Sequence, residues 1–156
     1  MKRILVGIKN TPGGRYTFSK ALELARQCGA WLHVFHALDY HLLRKDTPEE
    51  KIEQLTLETQ RQFENELRPL LEGYSRFGFN CWEDEPATGI CRLAGETGAD
   101  LVIIGCHEHP RGTRLSRVGM VASRILESAP CPVMLVPCIQ PEAEASEGFF
   151  SSPCVE

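Results

Sequence analysis

The sequence predicts an α/β fold: a doubly wound, open, parallel sheet of five strands with helices on both faces. Two patterns point to it. Short apolar runs alternate with stretches of helical periodicity, in the order β-α-β-α-β-α-β-α-β. The runs are continuous rather than alternating apolar and polar, as expected of strands buried on both faces of a parallel sheet. Right-handed crossovers between such strands wind the chain to both sides of the sheet. The length of 156 residues suits one domain.

The first strand is expected over Lys2–Ile8, where Ile4, Leu5, Val6 and Ile8 form the apolar run. Asn10-Thr11-Pro12-Gly13-Gly14 follow as turn residues. Phe18, Ala21, Leu22, Ala25 and Cys28 then share one helical face, with Gly29 as a stop. Trp31–Leu38 is the second strand. Its His33 and His36 are expected on one side of the strand, as satisfied interior or cleft-edge histidines rather than catalytic bases. A long helix is expected over residues 48–72, entered at Pro48 and ended by Gly73. Its stripe is Ile52, Leu55, Phe63, Leu67, Leu70 and Leu71. Phe77–Trp82 is a strand, Thr88–Thr97 a helix with Ile90, Leu93 and Ala94 inward, and Leu101–Ile104 a strand. Gly105–Arg117 is a polar loop, Val118–Ser128 a helix and Pro132–Val136 the last strand. Residues 138–156 are rich in Glu, Ser and Pro and show no periodicity, so they are expected to form a mostly disordered acidic tail. The domain proper is residues 1–137.

The net charge of −4 equals the four acids of the tail, Glu142, Glu144, Glu147 and Glu156, so the body is balanced. A balanced body argues against a dedicated nucleic-acid binder, which needs surplus cations. No apolar run approaches the ~20 residues that span a bilayer. The opening run of Ile4–Ile8 stops at Lys9, too short for a signal peptide. The seven cysteines form no C-x-x-C pair, and reduced thiols in the cytoplasm are expected. Cys106, His107 and His109 come nearest to a metal site but offer at most three donors, and no metal is predicted. Cys106 is expected to be an unreactive thiol.

Open parallel sheets bind ligands beyond the carboxyl ends of their strands, where the strand order reverses. The loops there are Lys9–Gly14, Ala37–Tyr40 and Gly105–Met120. In the last of these a strand runs into glycine, and a loop with Arg111, Arg114 and Arg117 runs into a helix. Backbone approach at glycine and free N–H groups at a helix start make a phosphate cradle. The same pattern fits a surface loop with solvated arginines, and spacing alone does not separate the two. No nucleophile elbow and no carboxylate pair stands out, and no catalytic residue is assigned.

The chain resembles the universal stress protein family from Met1 to about Pro137. The resemblance rests on Ile4-Leu5-Val6-Gly7-Ile8, Leu32–Asp39 and Glu85-Pro86-Ala87-Thr88-Gly89-Ile90. Its strongest parts are Gly98-Ala99-Asp100-Leu101-Val102-Ile103-Ile104-Gly105 and Ala129–Pro137. The resemblance implies strand order 3-2-1-4-5 and a cleft for ATP or another adenine nucleotide. Carried over position by position, that cleft would comprise Gly7, Ile8, Lys9, Ala37, Ile104, Gly105, His107, Glu108, Arg111, Gly119, Met120 and Val121. ATP-binding members carry G-x-x-G, nine further residues, then G-(S/T), and here the motif is degenerate. Gly105 and Gly119 fit, with one extra residue between them. Glu108 replaces the second glycine, Met120 the hydroxyl residue, and Lys9 an Asp at the end of the first strand. A Glu108 carboxylate repels a triphosphate, and loss of the hydroxyl at position 120 costs ~1–3 kcal/mol, the scale of a hydrogen bond to a charged group. Lys9, Arg111 or Arg114 could instead attract an anion.

Val133-Met134-Leu135-Val136 closes the sheet as an uncharged edge, which invites pairing with a second copy. The resemblance implies a homodimer through this strand. The expectation is a cytoplasmic regulatory or sensor protein with a nucleotide-type cleft. A dimeric interaction module that binds no nucleotide is the first alternative, and a slow ATP hydrolase the second.

Overall fold

The computed structural model describes residues 1–39, 46–106 and 118–137. Five strands form one parallel sheet: β1 (Arg3–Gly7), β2 (Trp31–Asp39), β3 (Phe77–Asp84), β4 (Leu101–Gly105) and β5 (Val133–Val136). Their order is β3-β2-β1-β4-β5, as expected. The chain steps outward from β1 to β2 and β3, then crosses back to place β4 on the other side of β1. Register pairs Ile4 with Leu32 and Leu101, and Gly7 with Phe35 and Ile104.

Period-two alternation along the central strands divides the core in two. On one face Ile4, Val6, Leu32, Val34 and Ile103 pack with Phe18, Ala21, Leu22 and Ala25 of helix α1 (Pro12–Cys28). Phe63, Leu67 and Leu71 close that layer. On the other face Leu5, Phe35, Val102 and Ile104 pack under α3 (Pro86–Thr97) and α4 (Met120–Ser128), through Ile90, Leu93, Ala94, Ala122 and Ile125. Helix α2 (Glu49–Gln62) contributes no buried residue within its own span and covers the sheet through the segment that follows it.

Four local departures from expectation have identifiable causes. Helix α1 begins at Pro12, so Pro12-Gly13-Gly14 are helical rather than turn residues. The Thr11 hydroxyl accepts the Gly14 N–H at 3.0 Å, and proline at the first position has no N–H to satisfy. The long helix entered at Pro48 does not stay α-helical to residue 72. It widens to a π turn over Phe63–Leu67 and tightens to a 3₁₀ turn over Arg68–Leu71. Pro69 cannot donate, and the Arg68 N–H reaches back to the Phe63 carbonyl. Strand β3 runs on to Asp84 and α3 starts at Pro86, because the Glu85 carboxylate accepts the N–H groups of Ala87 and Thr88. Helix α4 starts at Met120 rather than Val118, with Gly119 as its N-cap.

The two strand histidines are not on one side. They are three residues apart, an odd interval, so a period-two strand sends them to opposite faces. His36 lies on the α1–α2 side, near Phe63 and Phe79. His33 lies near Lys2, Arg3 and Trp31.

Gly14 has no room for a side chain: a Cβ there would stand 1.9 Å from the Lys9 carbonyl oxygen. Gly95, inside α3, faces open space. Gly14→Ala should therefore destabilise by roughly 1–3 kcal/mol through overpacking. Gly95→Ala should stabilise by about 0.5–1 kcal/mol through helix propensity. Urea unfolding of the two variants beside the parent measures both signs.

Candidate functional site

The reversal of strand order falls between β1 and β4, and their carboxyl ends define the candidate site. Gly7 ends β1 opposite Ile104. A Cβ on Gly7 would meet Ile90 Cδ1 at 2.6 Å and Ile104 Cγ2 at 3.3 Å, so glycine lets α3 settle onto the end of β1. The next residue, Ile8, is buried and donates its N–H to the Phe35 carbonyl at 2.9 Å. Gly105 ends β4 opposite Val136, and the Cys106 N–H continues the pairing to the Val136 carbonyl at 2.8 Å. The ends of β1 and β4 are thus fixed by their neighbours, and the chain leaves β4 held against β5.

Helix α4 supplies the facing wall. Gly119 caps it with extended backbone, and among the described residues no side-chain cap is made to its first turn. Met120, the first helical residue, is 79% exposed. Val121 is half-buried against the core layer under α3 and α4, and Ala122 is buried. An uncapped helix start presents partial positive charge and free donors. Arg124 of α4 pairs with Glu85 at the start of α3, 3.3 Å apart, so the two helices on this face are tied near their N-terminal ends. Burial pushes the Glu85 carboxyl up, but the Thr88 hydroxyl, the Thr88 and Ala87 amides and Arg124 outweigh it and hold its pKa below the usual value.

The sequence-derived residues divide into three groups. Gly7, Ala37, Ile104 and Gly105 lie at adjacent strand ends, with Gly119, Met120 and Val121 opening α4 on the same side of the sheet as Phe35 and Ile104. The Ile104 side chain is 5% exposed and belongs to the core. Lys9 is exposed and lines a shallow notch on the other side, with Asn10, Arg15, His36, Gln62 and Glu66. His107, Glu108 and Arg111 lie outside the described residues.

That notch was not legible in the sequence. His36 lines it, with its imidazole nitrogens buried and without a side-chain partner among the described residues. The Asn10 amide donates to Gln62 Oε1 at 2.6 Å and joins the β1–α1 loop to the end of α2. Beyond β2, Trp82 lies 4.7 Å from Phe35 and under the Arg92 guanidinium, which pairs with Asp84 at 2.9 Å. Glu66 lines the notch from within the π turn, and nothing in the helical stripe marks a π turn in advance.

Among the described residues no group of three His, Cys, Asp or Glu side chains could hold a metal ion. Among the described residues, Cys28, Cys81, Cys91 and Cys131 form no disulfide. Burial pushes Cys81 up to about 11 and raises Cys91 and Cys131 as well, which suits them to packing rather than to reactivity.

Burial also lowers the His36 pKa, against opposing backbone hydrogen bonding at Ala37 and at His36 itself. The unfolded chain then binds a proton more readily than the folded one, so stability is complete above 6.5 and falls as the pH drops below it. His33 acts in the same direction, through burial and Arg3. His36→Gln should reduce the loss of stability on acidification without abolishing it. Urea midpoints of the parent and the variant across that pH range measure the difference.

Comparison with known proteins agrees with this fold. The model of the universal stress protein family matches residues 1–137. Universal stress protein Sll1654 from Synechocystis is 41% identical over 51 residues, which is 31% of this chain and 30% of that protein. The match thus spans less than a third of that relative. The structure of universal stress protein UspA from Lactobacillus plantarum superposes with a TM-score of 0.72 at 18% identity, over 86% of this chain and 97% of that one. That of the universal stress protein from Archaeoglobus fulgidus in complex with dAMP superposes with a TM-score of 0.62 at 22% identity, over 86% and 97%. At these identities the structural likeness speaks for the fold.

Proposed function

Because the chain belongs to the universal stress protein family, we propose that it is a cytoplasmic regulatory protein that senses an adenine nucleotide in the crevice between the ends of β1 and β4. One observation carries this reading: the uncapped start of α4, with Gly119 and an exposed Met120, stands at the side of the sheet where Gly7 and Gly105 end their strands. Those free N–H groups suit a phosphate. The solved relative in complex with dAMP supports an adenine nucleotide.

The ligand favoured is a monophosphate over ATP. The carboxylate of Glu108 disfavours a long polyphosphate, and Met120 offers no hydroxyl to it. The protein's work is then ligand-dependent association rather than turnover.

Association runs through β5. It is an edge strand, with Met134 42% exposed and Val133 and Leu135 half-buried. An apolar edge of this kind pairs readily with a copy of itself. Cys28, Cys81, Cys91 and Cys131, none in a disulfide among the described residues, support a reducing compartment.

Two expected outcomes test these proposals. Mass spectrometry of molecules released from the purified protein should find an adenine nucleotide, and calorimetry should show AMP binding more tightly than ATP. Met120→Ser should improve ATP affinity by roughly tenfold, equivalent to a single charged hydrogen bond. No released nucleotide and no heat with either would leave the chain as an interaction module alone. Light scattering should give twice the chain mass of 17.5 kDa, with Met134→Glu shifting the population to monomer. A monomeric parent at micromolar concentration would contradict the dimer.

A further inference from the structure

The opposite end of the sheet carries a second feature, unrelated to the crevice. Lys2, Arg3, Trp31, His33 and Arg76 surround a shallow basin at the amino ends of β1, β2 and β3. Main-chain pairing assembles it. The Trp31 N–H donates to the Lys2 carbonyl at 2.7 Å, and the Leu32 N–H to the Arg76 carbonyl at 2.8 Å. The Asp100 carboxylate nearby is engaged by the backbone amides of Lys2 and Arg3 at 2.6 and 2.9 Å. The side chains of Lys2 and Arg76 have no carboxylate partner among the described residues. Trp31 is 38% exposed beside them, its ring tilted over His33 at 6.2 Å. Cations without partners around an exposed aromatic ring suit an acidic segment that also carries aromatic residues.

We propose that this basin receives the chain's own C-terminal segment, with Glu147 on Lys2 and Arg76, and Phe149 and Phe150 against Trp31. The chemistry is complementary. The last nineteen residues hold four glutamates and no lysine or arginine, and Phe149-Phe150 directly follow Glu147-Gly148. The body of the chain is otherwise charge-balanced, so the basin is a local excess. The reach is adequate. Glu147 lies ten residues beyond Pro137, about 33 Å of extended chain at ~3.3 Å per residue. The path runs about 17 Å down the length of a strand and about 10 Å across two strand spacings to β1. The two phenylalanines, two and three residues further on, reach the next strand, where Trp31 stands. The tail would thus cover the end of the sheet remote from the crevice, and its docking would weaken with salt.

The test uses the full-length chain and the indole N–H resonance of Trp31, assigned by its loss in Trp31→Phe. The variant E147Q/F149A/F150A should shift that resonance, and Arg76→Glu in an otherwise unaltered chain should shift it too. A zero-length carbodiimide should couple the Lys2 amine to Glu147 at low salt. That product should fall severalfold at high salt and in Arg76→Glu. An unchanged Trp31 resonance in the tail variant would overturn the proposal. So would coupled peptides joining two different chains in a mixture of ¹⁴N and ¹⁵N protein.

Discussion

The structure depends on burying both faces of two adjacent strands. Ile4, Leu5 and Val6 in β1, and Val102 and Ile103 in β4, are 0–1% exposed. Neither stretch contains a polar side chain, so each strand needs cover above and below. That cover is α1 with the π turn on one side, and α3 with α4 on the other. The consequence for function is geometric. A strand pair sealed on both faces can meet a ligand only at its ends, and the carboxyl ends of β1 and β4 are where the chain turns back on itself.

Glycine placement serves that constraint at two points. At Gly7 the missing side chain admits Ile90, which brings α3 over the end of β1. At Gly14 it admits the Lys9 carbonyl, which folds the β1–α1 loop against the first turn of α1. The first contact lies at the end of β1 under α3, and the second lies on the opposite side of the sheet, beside the notch. The ion pairs at the rim, Arg124 with Glu85 and Arg92 with Asp84, join helix to helix and helix to strand at the same end. Arg124 and Arg92 are about half exposed, so these pairs set orientation more than they add stability.

The sheet was readable in the sequence because its signal is one-dimensional. The continuous apolar runs at Ile4–Val6 and Leu101–Ile104, separated by helical periodicity, fit strands buried on both faces and little else. Element ends were less readable, because they depend on particular caps: Thr11 and Glu85 extend their helices by accepting N–H groups that a hydropathy pattern does not register. The π turn at Phe63–Leu67 follows from Pro69, whose effect on the preceding turn a helical stripe does not encode. For the site, the sequence located residues rather than roles: Gly105, Gly119 and Met120 came from a motif, and the structure has Gly105 ending β4 and Gly119 capping the start of α4. The notch under Lys9 and the basin around Trp31 draw residues from segments far apart in the chain, and no local pattern joins them.

The proposed function turns on main-chain amides at the crevice meeting a phosphate. Titration of the ¹⁵N-labelled protein with AMP tests that contact directly, by which backbone resonances move. Phosphate binding there requires the amides of Gly105, Gly119, Met120 and Val121 to shift together and to saturate at one affinity. Saturable shifts confined to Lys2, Trp31 and Arg76, or no saturable shift anywhere, would contradict it.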